Sequence, residues 1–589
     1  MDPQIQVASI ILILLGVLVW GRWRYDGVTL TALASMVLLG LVPAKEAFLG
    51  FGHPAVITVA LVLLISKALE KSGFINMIGD LLRQMVSGEM QFLIILMLVA
   101  GILSSFMNNI GAMAMLLPIT IGIAQKMEWN PSKFLMPLAF ASILGGMNTK
   151  IGTPPNIIIS EFREDYSNQS FEFFDFAFAG LPISILGILF IAFVGWRFVK
   201  LREEGSEKIP LVDIQDYLVE MTISEDSILV GKRVHELTSK LGTDNVLMGV
   251  VSEKGTIRRP HHRETFEALQ ILVLKISPDD VAGVQTEFGL IIDPDLQDPS
   301  QLGELGEIEA MITPRSRLIG RKYNYFKRMS RGVLALLGLW RQGTKLRRRL
   351  AREIFKAGDV LLLSARDNDE NVAEKLELLG LMPLWQRELD VIRDTSRAWQ
   401  ALLIFVLALV AVIFFNVNIL VAFLICVLAY ASRRLLTGEG IYRHIEWPVV
   451  VMLGAMIPIG GALTSSGLTV ASADFITANL SGVNVMWVLV VILVFTMFIS
   501  DLINNAATAV IMAPLSMQVA QQMNHPIEPF LMAVAVGASC AFLSPIGHQC
   551  NTLVMGPGNY RFGDYWKLGL PLEILIVCIS IPVIMNTWF

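Results

Sequence analysis

Two short runs hold residues whose types and spacing suit ion chemistry: SSFMNNIGAMAMLLP (Ser104 to Pro118) and SDLINNAATAVIMAP (Ser500 to Pro514). Both read Ser-x3-Asn-Asn with a proline nine positions after the second asparagine. Ser and Asn at a break between two apolar helices offer neutral side-chain oxygens, and the unwound turn adds backbone carbonyls. Such a donor set suits a small dehydrated cation such as Na+. The helix after each break also aims unpaired N–H groups at the same point, which attracts an anion. Ser and Asn also serve as glue between membrane helices, but two copies in register favour ion binding.

A second pair of runs is GGMNTKIGTPPN (Gly145 to Asn156) and LSPIGHQCNT (Leu543 to Thr552), each inside an apolar segment. Gly-Thr-Pro-Pro cannot continue a helix, so both segments break at membrane depth, where broken backbone is tolerated only if it lines a cavity or is covered by protein. Thr149, Lys150, Thr153, His548, Asn551 and Thr552, with Asn109 and Asn505 from the tips, are the candidate substrate contacts. Lys150 could bind an anionic substrate, stand in for a coupling cation, snorkel, or pair with Asp501. For His548, substrate contact, proton-sensitive ligand and polar packing stay open.

These runs need elements to hold them. Of 589 residues, 54% are hydrophobic and 16% charged, below the quarter usual for soluble proteins. Residues 200–397 carry 62 of the 97 charges. Seven apolar stretches precede this block, near 5–21, 28–44, 54–69, 91–107, 110–126, 134–147 and 177–198, and seven follow it, near 398–416, 418–432, 447–463, 485–503, 506–522, 529–543 and 568–588. Several are too short to span about 30 Å of hydrocarbon, so some must be half-helices or re-entrant hairpins. The halves match in register: Pro54 on Pro448, Ser104, Asn108, Asn109 and Pro118 on Ser500, Asn504, Asn505 and Pro514, Asn156 on Asn551, and Gly180 on Gly569. This is an internal duplication of the kind secondary transporters carry. With the charged block in the cytoplasm, thirteen Lys and Arg fall in inside loops against Lys45 and Arg163 outside, a positive-inside bias. Five full crossings per half then make the repeats inverted. The N-terminus lacks a basic n-region and reads as a retained span.

The twin tips, the IGTPPN turn and the run from Ser544 to Trp566 (SPIGHQ-NT-GPG-YRF-DYW) resemble the divalent anion:Na+ symporter family of sulfate and dicarboxylate carriers. The resemblance covers 1–199 and 398–589. It implies a homodimer in the cell membrane, each protomer having a scaffold and a transport part that moves like an elevator. It further implies two Na+ sites: Ser104, Asn108 and Asn109 with backbone of 145–152, Gly152 included, and Ser500, Asn504 and Asn505 with backbone of 543–547, Gly547 included. The family's usual tip is Ser-Asn-Thr, its Thr meeting a substrate carboxylate. Here Ile110 and Ala506 stand in its place, which tilts the substrate from dicarboxylate towards sulfate.

The charged block holds its own repeat: Ile223, Ser227, Leu229 and Gly231 match Ile312, Ser316, Leu318 and Gly320, and strands 271–276 and 360–365 match at the same offset. It reads as two small α/β domains, 209–294 and 303–384, resembling the TrkA-type C-terminal domain, which binds small regulatory ligands such as nucleotides. No GxGxxG follows a strand and no GxxxxGK[ST] occurs, so a gradient and not nucleotide hydrolysis drives transport. The run Lys345 to Arg352 invites a nucleotide or anionic-lipid reading, with a solvated surface as the plainer one. His261-His262 lacks partners at metal spacing, and four scattered cysteines form no ligand set. The net charge of −5 gives no reason to expect nucleic acid.

The expectation is therefore an α-helical polytopic membrane protein of two inverted repeats (1–199 and 398–589) with re-entrant hairpins, broken helices and a cytoplasmic α/β insert (200–397). It acts as no enzyme, needs no cofactor beyond Na+ as coupling ion, and carries sulfate or a dicarboxylate. A ligand-gated channel is the competing class, disfavoured by the lack of a TVGYG-like filter. An antiporter is the other, kept open by Asp501, whose counterpart in the first half is the neutral Ser105.

Overall fold

Long uncharged runs can satisfy their backbone in a bilayer only as helices, and in the computed structural model of this chain they form helices. The structure describes residues 2–20, 23–74, 77–79, 82, 85, 88–127, 129–199, 217–240, 246–251, 257–258, 260, 264–276, 278–291, 305–313, 316–330, 333–341, 353–366, 371–385, 395–433, 435–436, 445–479 and 482–589. The basic run from Lys345 to Arg352 and His261-His262 lie outside the described residues. Among those described, seven helices are long and apolar enough to cross a membrane, and five shorter apolar helices accompany them. The chain is a polytopic membrane protein.

The two halves interlock. Helix Tyr25–Leu38 packs on Trp447–Ser465, while its counterpart Ile419–Ser432 packs on Pro54–Leu69. Asn505–Gln522 lies against Pro154–Ser167, and Asn109–Lys126 against Gln549–Met555. Within each half the same pair recurs, Glu89–Phe106 on Ser132–Gly146 and Val485–Leu502 on Glu528–Ser539. Exchange of partners between equivalent helices is what a two-fold relation between repeats produces. Tyr560 ties the halves further: its buried hydroxyl donates to Ser132 O and accepts from Met136 N at 2.9 Å.

In the charged block the two α/β copies share a single sheet. The described strands, all between Tyr217 and Trp385, form one sheet in the order β3-β2-β4-β1-β7-β8-β6-β9, with β5 also on β1. In the first copy β1 (Tyr217–Ile223) pairs with β4 (Ile271–Ile276) and β5 (Leu290–Ile291), and β4 with β2 (Val246–Val251), which also pairs with β3 (Ile257–Arg258). In the second, β6 (Leu305–Ile312) pairs with β8 (Val360–Arg366) and β9 (Leu381–Trp385), and β8 with β7 (Ala335–Trp340). The pattern repeats down to side chains: Ser227 Oγ donates to Phe288 O and Ser316 Oγ to Leu379 O, both at 2.5 Å. The copies fuse where β1 meets β7, at Leu218 opposite Leu339 and Val219 opposite Gly338. The junction covers the edges that β1 and β7 would otherwise expose, leaving β3 and β9 as the ends of the sheet. The sheet rests on the membrane helices. Strand β9 touches Asn109–Lys126, and the turn at Gly358 lies against Gly556, just past Gln549–Met555.

Candidate functional site

At the first tip, helix Glu89–Phe106 ends as Met107 turns extended (φ −128°, ψ 158°), and Asn109–Lys126 begins two residues later. At the second, Ile503 turns extended (φ −130°, ψ 177°) before Asn505–Gln522. The first asparagine of each tip is a helix cap: Asn108 Oδ1 accepts from Ile110 N at 3.1 Å and Asn504 Oδ1 from Ala506 N at 2.9 Å. The second asparagine looks inward and meets the tip serine. Ser104 Oγ donates to Asn109 Oδ1 at 2.7 Å, and Ser500 Oγ to Asn505 Oδ1 at 3.1 Å. The spacing of four between Ser and the first Asn thus yields one cap and one inward amide in each repeat.

The broken segments are held by a matched pair of asparagines. Asn156 Nδ2 donates to Thr149 O at 2.9 Å and Met147 O at 3.5 Å, and Asn551 Nδ2 to Ala541 O at 2.8 Å and Ser544 O at 3.1 Å. Each satisfies carbonyls that the missing helical turn would otherwise orphan. Thr153 precedes helix Pro154–Ser167, with Pro154 opening it where a missing N–H costs nothing. His548 caps Gln549–Met555, its Nδ1 accepting from Cys550 N at 3.1 Å, and its Nε2 lies 3.2 Å from Asn109 Nδ2. A residue of the second broken segment thereby touches the tip of the first hairpin.

These pieces line a small, partly open cavity of about 50 Å3, bordered by Asn108, Asn109, Ile110, Thr153, Pro154, Asn504, Asn505, Ala506, Gly547, His548 and Gln549, with Glu446 and Val449 from the start of Trp447–Ser465. Besides Trp447–Ser465, three long helices, Asn109–Lys126, Pro154–Ser167 and Asn505–Gln522, begin on its wall, which sets their positive ends beside it.

Of the candidate residues, Asn108, Asn109, Thr153, Asn504, Asn505, Gly547 and His548 come together on this wall. Ser104 and Ser500 stand behind the inward asparagines. Gly152 borders a neighbouring small cavity with Asn108 and Val59. Four candidates are turned elsewhere. Thr149 Oγ1 donates to Ser105 O, Asn551 clamps backbone, and Thr552 Oγ1 donates to Pro545 O at 2.5 Å. Lys150 is buried away from the cavity wall. Its Nζ points to Phe171 O at 3.4 Å with Glu161 as charge partner, so it neither lines this cavity nor pairs with Asp501.

Two acids escaped the sequence reading. Glu446 lines the cavity and, taking His548 as neutral, is the only formally charged residue among its described lining. Glu573, inside the apolar helix Tyr565–Trp588, lies against Asp501. An ionisable residue inside a membrane helix is itself a functional signal, and here the surrounding hydrophobic run masked it.

The family described as Citrate transporter (CitMHS) matches residues 15–537 and again 477–588. The chain is 29% identical over 612 residues to the Uncharacterized transporter YfbS of Escherichia coli (strain K12), covering 98% of each chain. It is 24% identical over 576 residues to the Putative sulfur deprivation response regulator of Chlamydomonas reinhardtii, covering 94% of this chain and 97% of that one. A more distant similarity, 24% over 368 residues, links 58% of this chain to 41% of Sodium/sulfate cotransporter 2 from the same alga. With a family match across most of its length and a cavity built from duplicated helix breaks, the chain belongs to the citrate transporter family of membrane transporters.

Proposed function

We propose that this protein is a secondary active symporter that couples entry of a cation, Na+, to uptake of a small divalent oxyanion, sulfate first. One observation carries the reading: three helix N-termini and the neutral amides of Asn109 and Asn505 converge on one cavity. Helix ends and amides suit an oxyanion, yet the only formally charged residue among the described lining is the negative Glu446. The positive charge that a dianion requires must come largely from elsewhere, and a co-bound cation at Ser104–Asn109 and Ser500–Asn505 supplies it. Relatives named as sodium/sulfate cotransporters support both ions. The tips act as re-entrant hairpins of an elevator in a homodimer at the plasma membrane. The fused sheet is a cytoplasmic regulatory unit resembling paired TrkA-type C-terminal domains.

The family's name favours a second substrate, a carboxylate such as citrate. Uptake of labelled sulfate into proteoliposomes, under an inward Na+ gradient and then a pH gradient, with unlabelled citrate as competitor, separates the readings. Accumulation under Na+ alone, insensitive to citrate, is expected. Failure of both gradients to drive sulfate sinks the assignment, and citrate uptake in its place selects the second reading.

A further inference from the structure

The two copies in the sheet differ in charge over one stretch. Residues 317–328 of the second copy hold five basic residues, Arg317, Arg321, Lys322, Lys327 and Arg328, and no acid. The equivalent stretch of the first, 228–239, holds Lys232, Arg233 and one acid, Glu236. The backbone is the same in both: a turn through a glycine of positive φ, Gly231 at 78° and Gly320 at 75°, then a short helix. In the first copy Lys232 pairs with Glu236 at 3.6 Å. In the second, Arg321 takes the place of Lys232 and Tyr325 that of Glu236, while Arg328 replaces Ser239. The guanidiniums of Arg321 and Arg328 lie 5.3 and 5.5 Å from the Tyr325 ring centroid, and both arginines are exposed. Among the described residues, the carboxylates of this copy that form ion pairs, Glu353 and Asp359, are taken by Arg341. Two guanidiniums gathered on one ring repel each other, and a bound anion relieves the repulsion.

This stretch stands at the edge of the membrane. Phe355 N donates to Arg321 O and Gly320 N to Phe355 O, both at 2.9 Å, and Lys322 pairs with Ile354 in a short antiparallel bridge. Three residues past Phe355, Gly358 meets the membrane part: a Cβ on Gly556 would lie 3.1 Å from Gly358 O. Helix Gln549–Met555 starts at the cavity and rises ~10 Å over its seven residues, most of the ~15 Å from mid-bilayer to the headgroups. Gly556 therefore stands near headgroup level, with Arg561 and Lys567 following in the chain. Ile354, beside Lys322, is 45% exposed, and its equivalent in the first copy is the polar Thr265. Basic groups interleaved with Tyr and an exposed Ile at this depth suit an anionic lipid surface.

We propose that the face of the second copy formed by Arg317, Arg321, Lys322, Tyr325 and Arg328 binds the anionic headgroups of the cytoplasmic leaflet and pins that copy to the bilayer. The first copy, whose Lys232 is already paired, makes no such contact. This rests on the reading of the sheet as cytoplasmic.

The test is hydrogen–deuterium exchange over 317–330 in the full chain, reconstituted in phosphatidylcholine bilayers with and without phosphatidylglycerol. The wild type is expected to gain protection with phosphatidylglycerol and to lose it as salt rises. Each basic residue near an anionic surface contributes roughly fivefold to binding, so Arg321→Gln with Arg328→Gln should cut the gained protection roughly 25-fold. Lys232→Gln with Arg233→Gln, the same two charges removed from the first copy, should leave it unchanged. Tyr325→Glu, which writes the first copy's acid between the arginines, should abolish it. Arg321 and Arg328 are exposed, so their double variant should keep the wild-type unfolding temperature; if it does not fold, Tyr325→Glu decides. Three results each overturn the inference: no phosphatidylglycerol-dependent protection in the wild type, equal loss from the first-copy variant, or equal protection by inorganic phosphate in phosphatidylcholine alone. None of them bears on symport. A sheet on the outer side is seen separately, as its cleavage by trypsin added to intact cells, and overturns the cytoplasmic reading together with the leaflet named here.

Discussion

Gly146 offers a way to disturb the site without replacing any side chain expected to bind an ion. It ends helix Ser132–Gly146, and a Cβ built there lies 2.3 Å from Asn109 Oδ1 and 3.0 Å from its Cγ and Nδ2. Real Cβ contacts do not come that close, so Gly146→Ala must push the Asn109 amide aside. That amide holds two contacts, with Ser104 Oγ at 2.7 Å and His548 Nε2 at 3.2 Å. Two buried hydrogen bonds at about 1 kcal/mol each come to ~2 kcal/mol, or roughly 30-fold in half-saturation at about 1.4 kcal/mol per decade. Alanine in a helix gains up to ~1 kcal/mol over glycine, so global stability should fall by no more than about 1 kcal/mol. Gly122→Ala, where nothing lies within 4 Å, is the control and should be neutral or stabilising. The assay is half-saturating sulfate and Na+ in proteoliposomes beside thermal unfolding in detergent. Gly146→Ala with wild-type half-saturation for both ions refutes the placement of Asn109 at the binding wall.

Three further outcomes are expected. Asn551→Ala orphans two buried carbonyls at 2.8 and 3.1 Å and should cost about 2–4 kcal/mol in unfolding measurements, more than Asn156→Ala, whose second contact is 3.5 Å. Lys150→Met should leave sulfate half-saturation within about twofold, because the ammonium faces Phe171 O and Glu161, whereas a substrate role would cost ~10-fold or more. Arg341→Ala strips the nearly fully buried Asp359 of its two 2.7 Å contacts and should unfold the second half of the sheet at a cost of about 3–5 kcal/mol, read by limited proteolysis. Asp359 and Glu353 hold the Arg341 guanidinium above its already high ordinary range. Its contribution is complete below the unfolded value and lost only in strong alkali, so no pH dependence from it is expected near neutrality.

The sequence made the duplicated tips and breaks legible because Ser, Asn, Pro and Gly are conspicuous in apolar runs and recur in register. What it hid is equally specific. The spacing of Asn108 and Asn109 does not say that the first caps a helix while the second faces a cavity, since that depends on where Met107 turns extended. Lys150 stood out as a lone cation, but its direction is set by the turn of 147–153 and by Phe171, 21 residues away. Glu573 was submerged in a window average, and its meaning emerges only when the fold lays it against Asp501. The two β-repeats were visible, but the edge that fuses them, Leu218 to Leu339, pairs residues no local pattern connects.

The exchange of helix partners between the halves has a consequence for biosynthesis. Beyond its neighbour Pro3–Trp20, Tyr25–Leu38 packs on Trp447–Ser465, more than 400 residues later, and one face of Pro54–Leu69 waits for Ile419–Ser432. At about 5–20 residues per second, the intervening chain occupies the ribosome for some tens of seconds. Throughout that interval the early helices stand in the bilayer with one face against lipid. Lipid must therefore be an adequate temporary solvent for those faces, and the buried polar side chain of the first, Thr29, keeps its hydroxyl on the Tyr25 and Asp26 carbonyls of its own helix while it waits.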